Sequence, residues 1–293
     1  MPLPAPPARL IATAILLFAL SGCVNLDDAA GLSKLSEQAK RALPRVSNDV
    51  AATCARQNTL FQNTPTAERP PTEQAQDCAP YQEVSRHLDA DQKVLTGYFD
   101  ALGELSSNKP LTYDAAIKAN ETGIAANTAF SANTITAGTD AQNLLKSLAD
   151  AATKGYREKQ LGALIQANDP AVQSLTAALK KVITIDYAQL LSGEELSLDN
   201  FYQAPMAAAQ PNERLALILV QRQYAHDKSA LQSRKASIAD YGRVMDNMAT
   251  LHAKLKQQAE KKASVIDIAK EVGPVVASLK DAISDLESRS SQP

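Results

Sequence analysis

Three cysteines and three histidines are the side chains of this 293-residue sequence with the widest chemical repertoire, and their spacing points to little catalysis. Cys23, Cys54 and Cys78 contain no Cys-x-x-Cys pair, the arrangement that lowers a thiol pKa for redox exchange. His87, His226 and His252 lie far apart, and none shares a metal-binding motif with a second histidine or a carboxylate. His226 and Asp227 are adjacent, and adjacent helical residues are expected to point apart. All three histidines are therefore read as solvated or seam-edge residues. Glu194 and Glu195 fall in a predicted loop, where a carboxylate pair has no shared pocket to separate its pKa values. Tyr187, Tyr202, Tyr224 and Tyr241 are read as large core fillers with a polar tip at the edge. The sequence has no glycine-rich phosphate loop, no His-Glu-x-x-His and no Gly-x-Ser-x-Gly elbow. No catalytic residue, metal site or cofactor is expected.

Cys23 carries a different chemistry, that of an acyl acceptor. It closes Leu20-Ser21-Gly22-Cys23 behind an apolar run from Leu10 to Leu20, with Arg9 before it. That run is too short to cross a bilayer comfortably and has the order of a secretory signal. The four residues resemble the lipobox of bacterial lipoproteins, with small side chains at Ser21 and Gly22 to admit the peptidase. The resemblance implies removal of residues 1–22, three acyl chains on Cys23, and a lipidated tether over 23–30. At about 0.8 kcal/mol per buried methylene, several long chains hold a protein to a membrane without ready dissociation. Val24 and Asn25 follow the cysteine in place of an acidic residue, which resembles outer-membrane sorting in a two-membrane bacterium. The expected location is the cell envelope, lipid-anchored and facing the periplasm.

Lipidation of Cys23 leaves Cys54 and Cys78 as an even pair in an exported chain, so a disulfide between them is expected. The segment between them holds Pro65, Pro70 and Pro71 and reads as turn-rich. Closing that loop stabilises by roughly 3 kcal/mol in the chain-entropy picture.

Composition then sets the architecture. Losing Arg9 takes the 30 basic residues to 29 against 32 acidic ones, a formal balance of −3, with no basic block to engage nucleic acid. Aromatic residues make up only 4%, tryptophan is absent and alanine is abundant, which favours close helix packing over a sheet core. Between Pro211 and Lys262 two heptad seams run in parallel. One collects Leu217, Tyr224, Leu231, Ile238, Met245, His252 and Ala259; the other collects Val220, Asp227, Arg234, Tyr241, Met248, Leu255 and Lys262. A helix over this span is about 75 Å long, with Gly242 as its weak point. A second seam sets Tyr81, Leu88, Leu95 and Leu102 against Val84, Asp91, Tyr98 and Leu105. A third runs from Val265 through Ile268, Val272, Val275, Leu279 and Ala282 to Leu286, with a kink or break expected at Gly273-Pro274. Weaker helices are expected over 27–60, 113–166 and 171–191, with Asn168-Asp169-Pro170 as a stop and restart and 192–211 as a connection with some helix in it. The expected fold is all-α: one elongated antiparallel helical bundle over 31–293.

Asp91, Asp227 and Arg234 each fall on an otherwise apolar seam. Buried charges are tolerated only when paired, so Arg234 either meets Asp91 or another acid across the bundle and fixes register, or the seam opens to solvent or drifts out of register there. The functional expectation is a non-enzymatic envelope adaptor that presents a helical face to an envelope protein partner. The alternative is a lipid or hydrophobic small-molecule carrier with a cavity between helices. A homo-oligomer would satisfy the long seam between chains; a monomer would fold it back on Tyr81–Leu105 and the C-terminal helix.

Overall fold

The structure, a computed structural model, describes residues 27–64, 75–106, 133–153, 158–263 and 265–290. The signal and lipobox residues, Cys23 included, and residues 113–132 and 154–157 of the stretch expected as helix over 113–166 lie outside them. Among the described residues the fold is all-α, with no strand. Seven α-helices follow in order: α1 Asp27–Asn63, α2 Ala79–Ser106, α3 Asn133–Thr153, α4 Glu158–Lys181, α5 Ala188–Ala208, α6 Arg214–Lys261 and α7 Val265–Arg289. α1 starts at Asp27, so half of the expected 23–30 tether is already helical.

The helices pack antiparallel, and their side-chain bonds record the register. α1 and α2 are tied by Ser36 Oγ donating to the Thr96 carbonyl at 2.5 Å and Ser47 Oγ donating to Gln92 at 3.3 Å. α6 and α7 are tied by Ser233 to the Arg289 carbonyl at one end and Lys254 to the Glu271 carbonyl at the other. The apolar seams form the interior: Leu88, Leu95, Leu102, Val84, Tyr98 and Leu105 of α2 are buried, as are Leu231, Tyr241, Met245, Met248 and Leu251 of α6.

The helices are more continuous than expected. α4 runs through Asn168-Asp169-Pro170, and α7 runs through Gly273-Pro274. The predicted connection over 192–211 is largely the helix α5, so Glu194 and Glu195 are helical. Between α4 and α5 there is no turn; a π-helical segment, Val182–Tyr187, joins them. Proline disfavours a helix interior by about 3 kcal/mol, yet tertiary packing overrides this. At Pro170, Asn168 Nδ2 donates to Ser147 of α3 at 2.7 Å, and Gln173 Nε2 donates to the Ala249 carbonyl of α6 at 2.9 Å. The α4–π–α5 rod thus lies antiparallel along α6, from Gly162 against Ala259 at one end to Tyr202 bonded to Asp227 near the other.

A 3-10 turn, Pro211–Glu213, leads into α6 and carries a capping box in which Gln210 N–H donates to Glu213 Oε2 at 2.8 Å, with Pro211 at its start. It ends at Lys262, whose left-handed backbone (φ 49°) lets the Ala263 N–H reach the Gln258 carbonyl at 3.1 Å. At 48 residues it is about 72 Å long. Gly242 does not interrupt it. A Cβ there would sit 3.4 Å from Thr184 Cγ2, so the glycine allows α6 to close on the π segment. The long seam is covered within the chain by α4, α5 and α7, and α2 reaches it across the core through Gln92–Tyr241 and Tyr98–His252 bonds.

Candidate functional site

Two polar assemblies and one exposed apolar face stand out, and α6 runs through all three. The deepest centres on His252, which is fully buried. Its Nδ1 lies 3.0 Å from Asp169 Oδ1 and its Nε2 lies 2.9 Å from the Tyr98 hydroxyl. Because an ionised carboxylate only accepts, Nδ1 carries the proton, and neutral Nε2 accepts from Tyr98. Burial pushes the histidine below its ordinary pKa although Asp169 pulls the other way. Burial also opposes ionisation of Asp169, but Lys256, His252 and Gln173 more than offset it and hold the carboxyl low. This arrangement corrects the expectation of a solvated or seam-edge His252. The imidazole faces no solvent, so the relay serves to join α2, α4 and α6. Next to it, between α4 and α6, lies an open depression of about 450 Å³ edged by Gln173, Asp246, Thr250 and Lys254.

The second assembly is a charged collar where α1, the π segment, α5 and α6 meet. Arg234 donates to both oxygens of Glu194, at 2.6 and 2.8 Å, and Arg56 Nε donates to the same carboxylate at 2.8 Å. Arg56 also holds Asp49 at 2.8 Å, and the Tyr187 hydroxyl donates to Asp49. Glu194 is only 3% exposed. Burial alone would lower the Arg234 pKa, but Glu194 and Asp49 hold it above its ordinary value. Of the two alternatives left by the sequence, the seam does not open to solvent at Arg234; the residue pairs across the bundle, with Glu194 as its main partner.

Above the collar, α5 and α6 continue as a two-helix arm. The rungs are reciprocal: Tyr202 donates to Asp227 at 2.6 Å and Tyr224 donates to Asp199 at 2.9 Å, with the two rings 5.4 Å apart. Lys228 bridges Asp199 and Glu195, and Lys235 donates to Glu195. Burial would lower the Lys228 pKa, yet these two carboxylates raise it well above the usual lysine range. Asp227 also accepts from Gln223 and sits 3.2 Å from His226 Nδ1, so these neighbours touch on the outer surface. The expectation that they point apart is not met at these two residues. From Arg214 to His226 only Leu217, Val220 and Tyr224 are shielded, all on the stripe facing α5. The rest is open, leaving Leu215 at 73%, Ile218 at 43% and Leu219 at 57% exposure.

Of the other residues singled out in the sequence, Cys54 and Cys78 are joined in a disulfide that ties α1 to the start of α2. Asp91 is 3% exposed, and burial together with the nearby Asp140 pushes its carboxyl well above the ordinary value. It lies away from Arg234. The structure therefore separates the three seam charges: Asp91 in the body, Arg234 in the collar, Asp227 in the arm. Glu194 was missed because its neighbourhood reads as a loop; the signal that marks it is its place four residues after Leu190 and four before Leu198.

Among the described residues no group of three or more His, Cys, Asp or Glu side chains is placed to hold a metal ion, and no helix is long and apolar enough to cross a membrane. Fold and site together define an all-α antiparallel bundle with a projecting helical hairpin. No protein-family model, curated protein or solved structure matches the chain.

Proposed function

We propose that this chain is a lipid-anchored envelope lipoprotein that acts as a non-enzymatic adaptor, with the α5–α6 arm as the face offered to a protein partner. The observation that carries this reading is the exposure of Leu215, Ile218 and Leu219 on an arm whose Asp199 and Asp227 are bonded to Tyr224 and Tyr202. Exposed aliphatic side chains gathered on one face mark interaction surfaces more often than scattered single ones do. The lipobox-like Leu20-Ser21-Gly22-Cys23 supplies the anchor in this proposal, and the Cys54–Cys78 bridge suits an oxidising compartment. Outer-membrane sorting through Val24 and Asn25 belongs to the same proposal. The anchor sets the address, and the body sets the arm's distance and direction.

The test is in-cell chemical cross-linking followed by affinity purification and mass spectrometry, with Cys23→Ser as the unanchored control. A defined protein recovered with the native chain and lost from the control supports an anchored adaptor. Recovery of the same protein from both removes the anchor from the account. A co-purifying lipid without any protein contradicts the adaptor reading.

A further inference from the structure

We infer that the arm's outer face, built on Arg214, Leu215, Ile218, Leu219 and Arg222, binds an acidic amphipathic helix of a second protein; this rests on the adaptor reading and names its partner class. Residues 214, 218 and 222 follow a spacing of four along α6, and 215 and 219 lie beside them, so all five share one side of two helical turns. Three exposed aliphatic side chains are thereby bracketed by two exposed arginines.

Charge decides between occupants. The arm's carboxylates at Glu195, Asp199 and Asp227 are engaged by Lys228, Lys235, Tyr224 and Tyr202 along the α5–α6 interface. From Leu196 to Arg222 the exposed formal charges are Glu213, Arg214 and Arg222, and Glu213 already accepts from the Gln210 N–H in the capping box. A net positive, aliphatic-centred face thus projects from a chain whose formal net charge is −2. Its complement is a helix with aliphatic residues at i, i+3/i+4 and i+7 flanked by Asp or Glu. Such a helix laid beside α5 and α6 makes a three-helix bundle, the helix-in-groove mode of recognition.

Two other occupants fit less well. A second copy paired on a two-fold axis centred on Ile218 sets Arg214 of one copy against Arg222 of the other, a like-charge clash. A membrane surface is met by interfacial helices with an apolar face sustained over many residues. Here the face turns to Arg222, Ala225 and His226 after two turns, and the hairpin tip leads with Gln210, Asn212 and Glu213.

The experiment places a photo-cross-linking p-benzoylphenylalanine at position 219 of the full chain in its native cells, with a second chain carrying it at exposed position 270 on α7. The expected result is an adduct from position 219 to one protein, mapping to a segment that is acidic and amphipathic at helical spacing. Arg214→Glu with Arg222→Glu should cut that adduct at least tenfold, while Arg214→Lys with Arg222→Lys retains most of it. An adduct with phospholipid, with a second copy of this chain, or with a peptide lacking carboxylates overturns the inference, as does no adduct at 219. If a partner is captured through position 270 or by the anchored-adaptor test but not through 219, the arm assignment falls and the adaptor reading stands. If no position and no purification yields a protein, both fall.

Discussion

The two halves of α6 are written in one heptad pattern and live in different surroundings. From Leu231 to His252 the helix has α4, α7 and the reach of α2 around it, and ten of its residues other than Leu231 are buried, among them polar Asp240 and His252. From Arg214 to Ala230 it has α5 as its neighbour along the stripe, and none of those residues is buried. Seam spacing therefore fixes which side of a helix meets its first partner and says little about how many partners arrive. The body joins buried His252 to Tyr98 and Asp169 across three helices, whereas the arm pairs Asp199 and Asp227 along one interface and leaves its aliphatic residues outside. The collar at Glu194 and Arg234 is the border between these regimes.

The comparison predicts that breaking the border costs most. Arg234→Leu leaves Glu194 buried with Arg56 as its remaining cation, and a loss of about 3 kcal/mol in denaturant unfolding is expected. Glu194→Leu combined with Arg234→Leu should recover part of it. An Arg234→Leu protein as stable as the parent would show that the collar does not separate body from arm.

A smaller effect belongs to the body's relay. The folded pKa of His252 lies below the ordinary 6.5, with burial as the main cause, so the unfolded chain takes the proton more readily. Its contribution is fully present above about pH 6.5 and is lost as pH falls below that value. His87 titrates in the same sense, through burial and then Arg86. His252→Gln should cost about 2 kcal/mol at pH 7.5 and flatten part, not all, of the decline in urea midpoint between pH 7 and pH 5. An unchanged slope would remove His252 from the relay.

Asp91 works with the opposite sign. Its folded pKa is raised well above 3.8 by burial and then by Asp140, so ionisation disfavours the folded state above that value. Asp91→Asn is expected to stabilise by about 1 kcal/mol at pH 7, with the gain shrinking as pH falls toward 4. The smallest effect is on the arm: Leu219→Gln should leave stability within about 0.5 kcal/mol, because the side chain touches water and little else. A loss near that of a body leucine, about 3 kcal/mol, would mean the arm face is covered.

Much of the fold was legible because repetition is local. Leu88, Leu95 and Leu102, or Leu231, Met245 and Met248, announce a buried stripe without knowledge of the partner. Pro170 misled because a helix is held through a proline by contacts from other helices, which no local pattern records. The candidate site was legible in part: Arg234 and Asp227 stood out as charges on a seam. Glu194, Asp49 and Asp169 did not, since each acquires its meaning from a residue 40 or more positions away or on another helix. The arm face was hidden for a further reason: Leu215, Ile218 and Leu219 look like core residues until the number of neighbouring helices is known.

The most direct test of the account is partner recovery with the arm face neutralised. The triple variant Leu215→Gln, Leu219→Gln, Arg222→Gln should be compared with Lys270→Ser under identical in-cell cross-linking, with thermal melting of both purified proteins. The account predicts at least a tenfold fall in partner recovery for the triple variant alone, with both melting temperatures within a few degrees of the parent. Undiminished recovery from a folded triple variant would contradict it.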